Sequence, residues 1–357
     1  MIRRVAIALL VLAAWPARAE SPAQDACRPP TDFAVPAPIS AVQGPAHKGT
    51  DHRIEPYALL QMEAAAAWRG RRDQVAADRA VEALVQWARA GALREIVDAG
   101  PAHSNTNSIY SLRRALIAIL GSWMDLRTAP AGRAHGEEIE RWLGRLVVAQ
   151  DVETGNEKSR ARGEAMSNHN NHVLLRATVA AQWAALNGRR EFADSAGRIA
   201  RATIAEMRDD GSLPLETARG ERALWYQRHA LASLVYIAEL LRPFGYDLWQ
   251  PRADGADLHR AVAFLLDTID QPERLATYTG RDDAGRQDLG FLQLRGNGRH
   301  YMAWAELYRT RFPERGEANR LLALLPRRGD QGWPLLDDYV GGNTTCRVLT
   351  IASPDKR

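Results

Sequence analysis

The sequence predicts an all-α protein, an incomplete (α/α) toroid or barrel built from antiparallel helical hairpins. Three observations predict it. From Pro56 onward apolar residues recur at three- and four-residue spacing through most of the chain. No run alternates apolar and polar residues long enough for a strand, and neither a Rossmann glycine fingerprint nor a P-loop occurs. Helix–loop–helix units also follow one another at a fairly even pace, and hairpins of this kind close into a ring with a groove at one mouth. At 357 residues and 46% apolar composition, the chain has enough material for one large core, assigned here to residues 56–357.

Residues 1–19 read as a secretory signal peptide. Arg3-Arg4 is the positive n-region, Val5 to Ala14 the apolar h-region, and Ala17-Arg18-Ala19 a cleavage site. The apolar run is too short to span a bilayer. The mature protein is therefore expected in the periplasm or the medium, soluble and without a membrane segment. Removing Arg3, Arg4 and Arg18 from the 47 basic residues leaves 44 against 43 acidic ones, a balance of about +1. That near-neutral balance argues against nucleic acid as a partner. Any anion site has to come from local clustering of cations.

Residues 20–55, rich in Pro, Ala and Gly, read as an extended arm laid over the body. Within it Lys48-Gly49-Thr50-Asp51-His52-Arg53 is a polar, partly basic patch; taken alone it reads as a solvated loop. Lys48 is its candidate substrate contact. Helical spacing follows at Leu59, Met62 and Ala66, then at Ala77, Val81, Leu84 and Ala88. Pro101 introduces a polar loop. Ile109 to Leu126 is the next helix, residues 128–134 a turn, and residues 136–149 an amphipathic helix. After a second polar loop come helices from Val173 and from the Arg219 region to about Leu241, ended by Pro243 and Gly245. Leu258 to Ile269, His300 to Arg311 and Ala318 to Leu325 complete the set. The two cysteines, Cys27 and Cys346, lie near the two ends of the mature chain. In an oxidising compartment an even pair reads as a disulfide, with two unpaired thiols as the alternative.

The chemistry concentrates between Ser167 and Leu231. Ser167 or Asn168 can cap the helix that carries Val173, Leu174, Ala177 and Ala180, which puts Asn171 and His172 in or near its first turn. Free N–H groups and the helix dipole favour an anion there. Further on, Arg219, Arg222, Tyr226 and His229 stand at i, i+3, i+7 and i+10, one face of a helix whose other side is apolar. Each cluster alone is also what a cap and a solvated face look like. Together they suit β-elimination on a uronic acid. Neutralising the uronate carboxylate stabilises the carbanion that forms at C5. A tyrosine with a lowered phenol pKa, as a nearby cation provides, takes the C5 proton and returns one to the leaving oxygen. A glycoside hydrolase would need two opposed carboxylates, and Glu216 and Glu221 have no matched partner.

Asn171-His172, Leu213-Pro214-x-Glu216 and Arg219-x-x-Arg222-Ala223-Leu224-x-Tyr226 together resemble the alginate (poly-mannuronate) lyase family, polysaccharide lyase family 5. The resemblance is good over residues 165–245. It implies an α/α toroid and a lyase in which Asn171 and Arg219 neutralise the carboxylate. His172 would assist or serve as base on substrates of the other stereochemistry, and Tyr226 would be the acid/base. Ala303-Trp304 and Gly341-Gly342 to Arg347 are similar to family segments near the C-terminus, which makes Trp304 and Arg347 candidate substrate contacts beside Arg222 and His229. Two features depart from the family. Val173-Leu174-Leu175 stands where the family has an aromatic pair, and His229 where it has a second tyrosine. The expected substrate is an acidic polysaccharide, alginate first and a glucuronate-containing exopolysaccharide second. A periplasmic glycan-binding protein without activity is the alternative class. No cofactor and no metal are expected, because no H-E-x-x-H or acidic ligand cluster occurs. A monomer is expected.

Overall fold

The structure is a computed structural model that describes residues 21–30, 34–44, 50–97, 105–156, 165–251 and 255–352. Residues 1–19, read above as a signal peptide, and Lys48 lie outside the described residues. Eleven helices of eight residues or more organise them: α1 Glu55–Arg71, α2 Gln74–Arg89, α3 Thr106–Leu126, α4 Pro130–Ala149, α5 Asn171–Asn187, α6 Arg190–Ala205, α7 Ala223–Leu241, α8 Leu258–Asp270, α9 Trp304–Arg311, α10 Gly316–Leu324 and α11 Thr344–Ile351. Strand structure among the described residues is confined to four two-residue strands. Ala41–Val42 pairs in parallel with Glu95–Ile96, and Leu336–Asp337 pairs antiparallel with Gly342–Asn343. The fold class is all-α, as the sequence predicts.

The distribution of apolar residues sorts the helices into two layers. A helix apolar on all sides belongs inside, and one with a single apolar stripe belongs outside. In α3, burial runs around the whole circumference, from Ile109 and Leu112 through Ile117 and Ile119 to Trp123; α7 is the same from Gln227 to Ala238. By contrast, α6 buries only one stripe: Ala193, Ala196, Gly197, Ala200 and Ile204. The packing follows. Helix α1 packs on α3, α3 on α5 and α5 on α7, while α2 lies against α4, and α6 lies against α5. Beyond α7 the contacts continue through α9 to α11 and return to α1. Trp87, Trp123, Trp142 and Trp304 are buried in the shared core.

Local chemistry fixes the ends. Asp73 caps α2 by accepting from Ala76 N at 3.0 Å, Asp257 caps α8 from Arg260 N at 2.9 Å, and Asn343 caps α11 from Cys346 N at 2.9 Å. Gly188 ends α5 in the left-handed region. Helix α3 also approaches the Asp338–Val340 turn closely. A Cβ on Gly121 would stand 2.2 Å from the Gly341 carbonyl oxygen, so glycine is required where they touch.

Several boundaries differ from the sequence expectation. Pro130 occupies the first turn of α4, so residues 130–134 are helical rather than a turn; proline is well suited to that position because its missing N–H would have no partner there. The helix expected from His300 begins at Trp304. The expected arm holds a one-turn helix, Pro22–Ala26, that packs against α11, where Cys27 and Cys346 are joined by a disulfide with Cα atoms 5.1 Å apart. Its strand Ala41–Val42 stitches it to the loop after α2.

Candidate active site

The N-terminus of α5 is capped by Asn170, whose side chain accepts from His172 N at 3.1 Å. Ser167 and Asn168, the expected caps, instead form a 3₁₀ turn, Met166–Asn168; Asn168 is turned toward Thr154 and bonds it through both side-chain ends. Asn171 is the first residue of α5 and fully buried. Its partner is Glu216, from the one-turn helix Pro214–Thr217. Glu216 Oε1 accepts from Asn171 N at 2.6 Å, and Oε2 accepts from Asn171 Nδ2 at 2.8 Å. Burial pushes the Glu216 carboxyl up to about 7, against the pull of these two bonds and of the Arg219 charge.

His172 is held through its backbone, its carbonyl accepting from Arg113 Nη1 at 3.4 Å. Its Nδ1 is buried without a partner, and its ring lies 4.8 Å from that of Tyr110. Burial, with the Arg113 and Arg219 charges added, depresses His172 to about 3. At neutral pH it is therefore an uncharged imidazole that offers hydrogen bonds but no positive charge.

Arg219 does not stand on a helix with Tyr226, contrary to the spacing argument. Gly220–Arg222 is a 3₁₀ turn and α7 starts at Ala223. Gln287 holds the turn in place: its Oε1 accepts from Leu224 N at 2.9 Å and its Nε2 donates to Gly220 O at 2.9 Å. The turn folds Arg219 back over α7, with its guanidinium carbon 4.3 Å from the centre of the Tyr226 ring. Arg222 sits 5.6 Å from the same ring and 4.9 Å from that of Trp225, with Asp288 Oδ2 3.7 Å from its Nε.

Asn171, His172, Arg222, Tyr226 and His229 line one cavity of about 310 Å³, and Arg219, which is not among its lining residues, stacks on the Tyr226 ring. His229 is buried between Tyr110 and Tyr339, at ring separations of 6.2 and 4.2 Å. Burial and the Arg228 charge hold it neutral. Two other sequence candidates are corrected. Trp304 is fully buried in the core and does not line the cavity, because α9 turns it toward the interior. Arg347 does not line it either; its guanidinium lies 5.6 Å from the Tyr236 ring and donates to Gly341 O at 3.4 Å.

The far wall was not anticipated. Tyr110, Arg114, Tyr301 and Tyr339 line it. The Tyr110 and Tyr339 hydroxyls are hydrogen-bonded to each other, and burial raises both phenols, so both stay neutral. Arg114 stacks 4.8 Å from the Tyr339 ring and pairs with Asp338 at 2.8 Å. Burial alone would raise the Asp338 carboxyl, but the Arg114 and Arg299 guanidiniums hold it below the usual carboxylate range. The sequence did carry signals for this wall. Arg113-Arg114 interrupts an otherwise apolar helix, and two adjacent cations that deep in a core need partners or a ligand. Among the described residues no group of three or more His, Cys, Asp or Glu is placed to hold a metal, and no helix is long and apolar enough to cross a membrane.

Fold and cavity together define an all-helical protein with a cleft whose cations and phenols suit an anionic, hydroxyl-rich ligand. The chain belongs to the alginate lyase family, whose model matches residues 41–275. It is 30% identical over 255 residues to a polysaccharide lyase of Stenotrophomonas maltophilia (strain K279a), covering 68% of this chain and 66% of that protein. It is also 30% identical over 230 residues to an alginate lyase of Pseudomonas aeruginosa (strain LESB58), covering 62% and 56% respectively. The matches thus span less than two thirds of these relatives. Alginate lyase A1-III of Sphingomonas species A1 shares the fold at a TM-score of 0.71 and 20% identity, over 93% of this chain and 91% of that one.

Proposed function

We propose that the protein is an exported polysaccharide lyase that cuts a uronate polymer by β-elimination, with alginate the first candidate. The observation that carries this reading is the meeting of Asn171, His172 and Tyr226 on one cavity, with Arg219 stacked on Tyr226. Family membership and a relative named alginate lyase support the substrate class. Variants of alginate lyase A1-III, which shares the fold, have been seen with a bound tetrasaccharide. The leader pattern in residues 1–19 supports export to the periplasm.

In this mechanism the uronate carboxylate lies against Asn171 and Arg219, which carry the charge that grows as the C5–H bond breaks. Tyr226 takes the C5 proton through its phenol oxygen, with the Arg219 guanidinium stacked on its ring. The carbanion pair forms the C4=C5 double bond and expels the C4 oxygen. Tyr226 then gives that proton to the departing oxygen and returns to its starting state. One proton moves and none is lost, so neither an external base nor a co-reactant is required. His172, being neutral, donates or accepts a hydrogen bond at the sugar ring.

Mannuronate and glucuronate share configuration at C4 and C5, so the same elimination serves both. The experiment is a screen of purified protein against alginate and polyglucuronate, read by ultraviolet absorbance of unsaturated ends. Product from either supports the lyase reading, and the faster polymer names the substrate. Binding without unsaturated product would favour a glycan-binding role instead, and reducing ends without unsaturation a hydrolase.

A further inference from the structure

The proposed role of Asn171 meets an obstacle in its own hydrogen bonds. A carboxylate is gripped by donors, and one of the two N–H groups on the amide's Nδ2 is already given to Glu216 Oε2 at 2.8 Å. Besides the second N–H, Asn171 has Oδ1, an acceptor that is buried and without a partner. An ionised Glu216 can only accept, so it demands this orientation. A neutral Glu216 has a proton on one oxygen and can donate. Rotating the Asn171 amide by half a turn exchanges Oδ1 and Nδ2 in nearly the same volume.

We propose that Glu216 orients the Asn171 amide by its own protonation state. Neutral Glu216 donates from Oε2 to Asn171 Oδ1 and frees both N–H groups of Nδ2 for the substrate carboxylate, whereas ionised Glu216 takes one of them and leaves an acceptor in its place. The other bond, from Asn171 N to Oε1 at 2.6 Å, is kept in both states and serves as the pivot. The proton comes from solvent and stays on the carboxyl, so no bond of the substrate is involved. The inference rests on the lyase reading and makes Glu216 a positioning residue.

The surroundings fit such a switch. Glu216 is 3% exposed, so its charge is not screened by water, and its carboxyl titrates near neutrality. Around it stand Arg219 on the following turn, the neutral His172 on α5, and Arg208 on the preceding loop, which donates to Thr217 Oγ1 at 3.0 Å. Arg113 of α3 reaches the His172 carbonyl, and α7 packs on the Glu216 turn and carries Tyr226. The two Asn171 bonds and the Arg219 charge pull the carboxyl toward ionisation, and burial outweighs them.

Glu216→Gln tests the idea, because glutamine keeps the pivot through Oε1, donates from Nε2 to Oδ1, and has no proton to lose. In wild type, kcat/KM on mannuronate-rich alginate is expected to fall about tenfold per pH unit above the carboxyl's pKa. In E216Q that alkaline limb should disappear. Glu216→Ala should raise KM at every pH, with a thermal melt as the check on folding. Calorimetry with a mannuronate oligomer at pH 8 in two buffers adds a readout free of turnover: wild type should take up close to one proton on binding, and E216Q none. An E216Q profile that follows the wild-type limb, or equal proton counts, would overturn the inference and leave the lyase reading standing. A wild-type protein that binds the oligomer but forms no unsaturated ends would overturn the lyase reading, and the proton count would still decide the switch. Failure to bind any uronate oligomer overturns both.

Discussion

Arg219 immediately precedes a 3₁₀ turn and Tyr226 stands on the helix after it, yet the guanidinium lies 4.3 Å from the phenol ring centre. The contact depends on planarity as well as charge. Arg219→Ala is expected to lower kcat by about 10²–10³-fold, as loss of a group that stabilises transition-state charge does. Arg219→Lys should recover little of it, because an ammonium cannot stack and bridge a carboxylate as a guanidinium does. Steady-state kinetics on alginate decides. A lysine variant with near wild-type kcat would mean that charge alone suffices.

His172 makes a prediction about stability. Its folded pKa of about 3 lies below the ordinary histidine value of 6.5, so between those values the unfolded chain binds more protons. The contribution of the neutral imidazole is fully present above pH 6.5 and is lost as the pH falls toward 3. His172→Asn should therefore flatten the fall in Tm on acidification below pH 6.5 relative to wild type. Parallel Tm curves for the two proteins would show that the ring is not held neutral by the fold.

The disulfide closes a loop with a sequence separation of 319 residues. Chain-entropy reasoning for so long a loop puts its stabilisation at about 6 kcal/mol, with 2–5 kcal/mol the usual range on removal of a native bridge. Replacing both cysteines by alanine should lower the denaturation midpoint by a corresponding amount, measured by urea titration. The bridge sits beside α1 and α11, away from the cavity, so kcat at a temperature where the variant is folded is expected to change little. A loss of unfolding free energy under about 1 kcal/mol would leave the bridge without a thermodynamic role.

The helical class and most helix positions were legible because the 3.6-residue period is strong in α2, α4 and α8, and because the runs in α3, α5 and α7 are apolar over helical length. Boundaries were less so. The notch at Gly220–Arg222 depends on Gln287, more than sixty residues away, and no local pattern announces it. The pairing of Asn171 with Glu216 was hidden for the same reason. Glu216 was visible in the sequence as a carboxylate without a mate, and its partner turned out to be an amide. Trp304 and Arg347 were picked from faint similarity near the C-terminus with no chemical argument beside it, and both lie off the cavity. Tyr110, Arg114 and Tyr339 were missed because they converge from α3 and from a tail that shows no pattern of its own.

The most direct measurement is product formation by Tyr226→Phe on a uronate polymer, followed by ultraviolet absorbance of C4–C5 unsaturated ends beside wild type, with Tm of both proteins recorded. Wild type is expected to generate unsaturated ends, and the phenylalanine variant to lose about 10²–10⁴-fold in kcat, the range for removing a positioned acid/base, at an unchanged Tm. Unsaturated product formed at the wild-type rate by Tyr226→Phe would contradict the account.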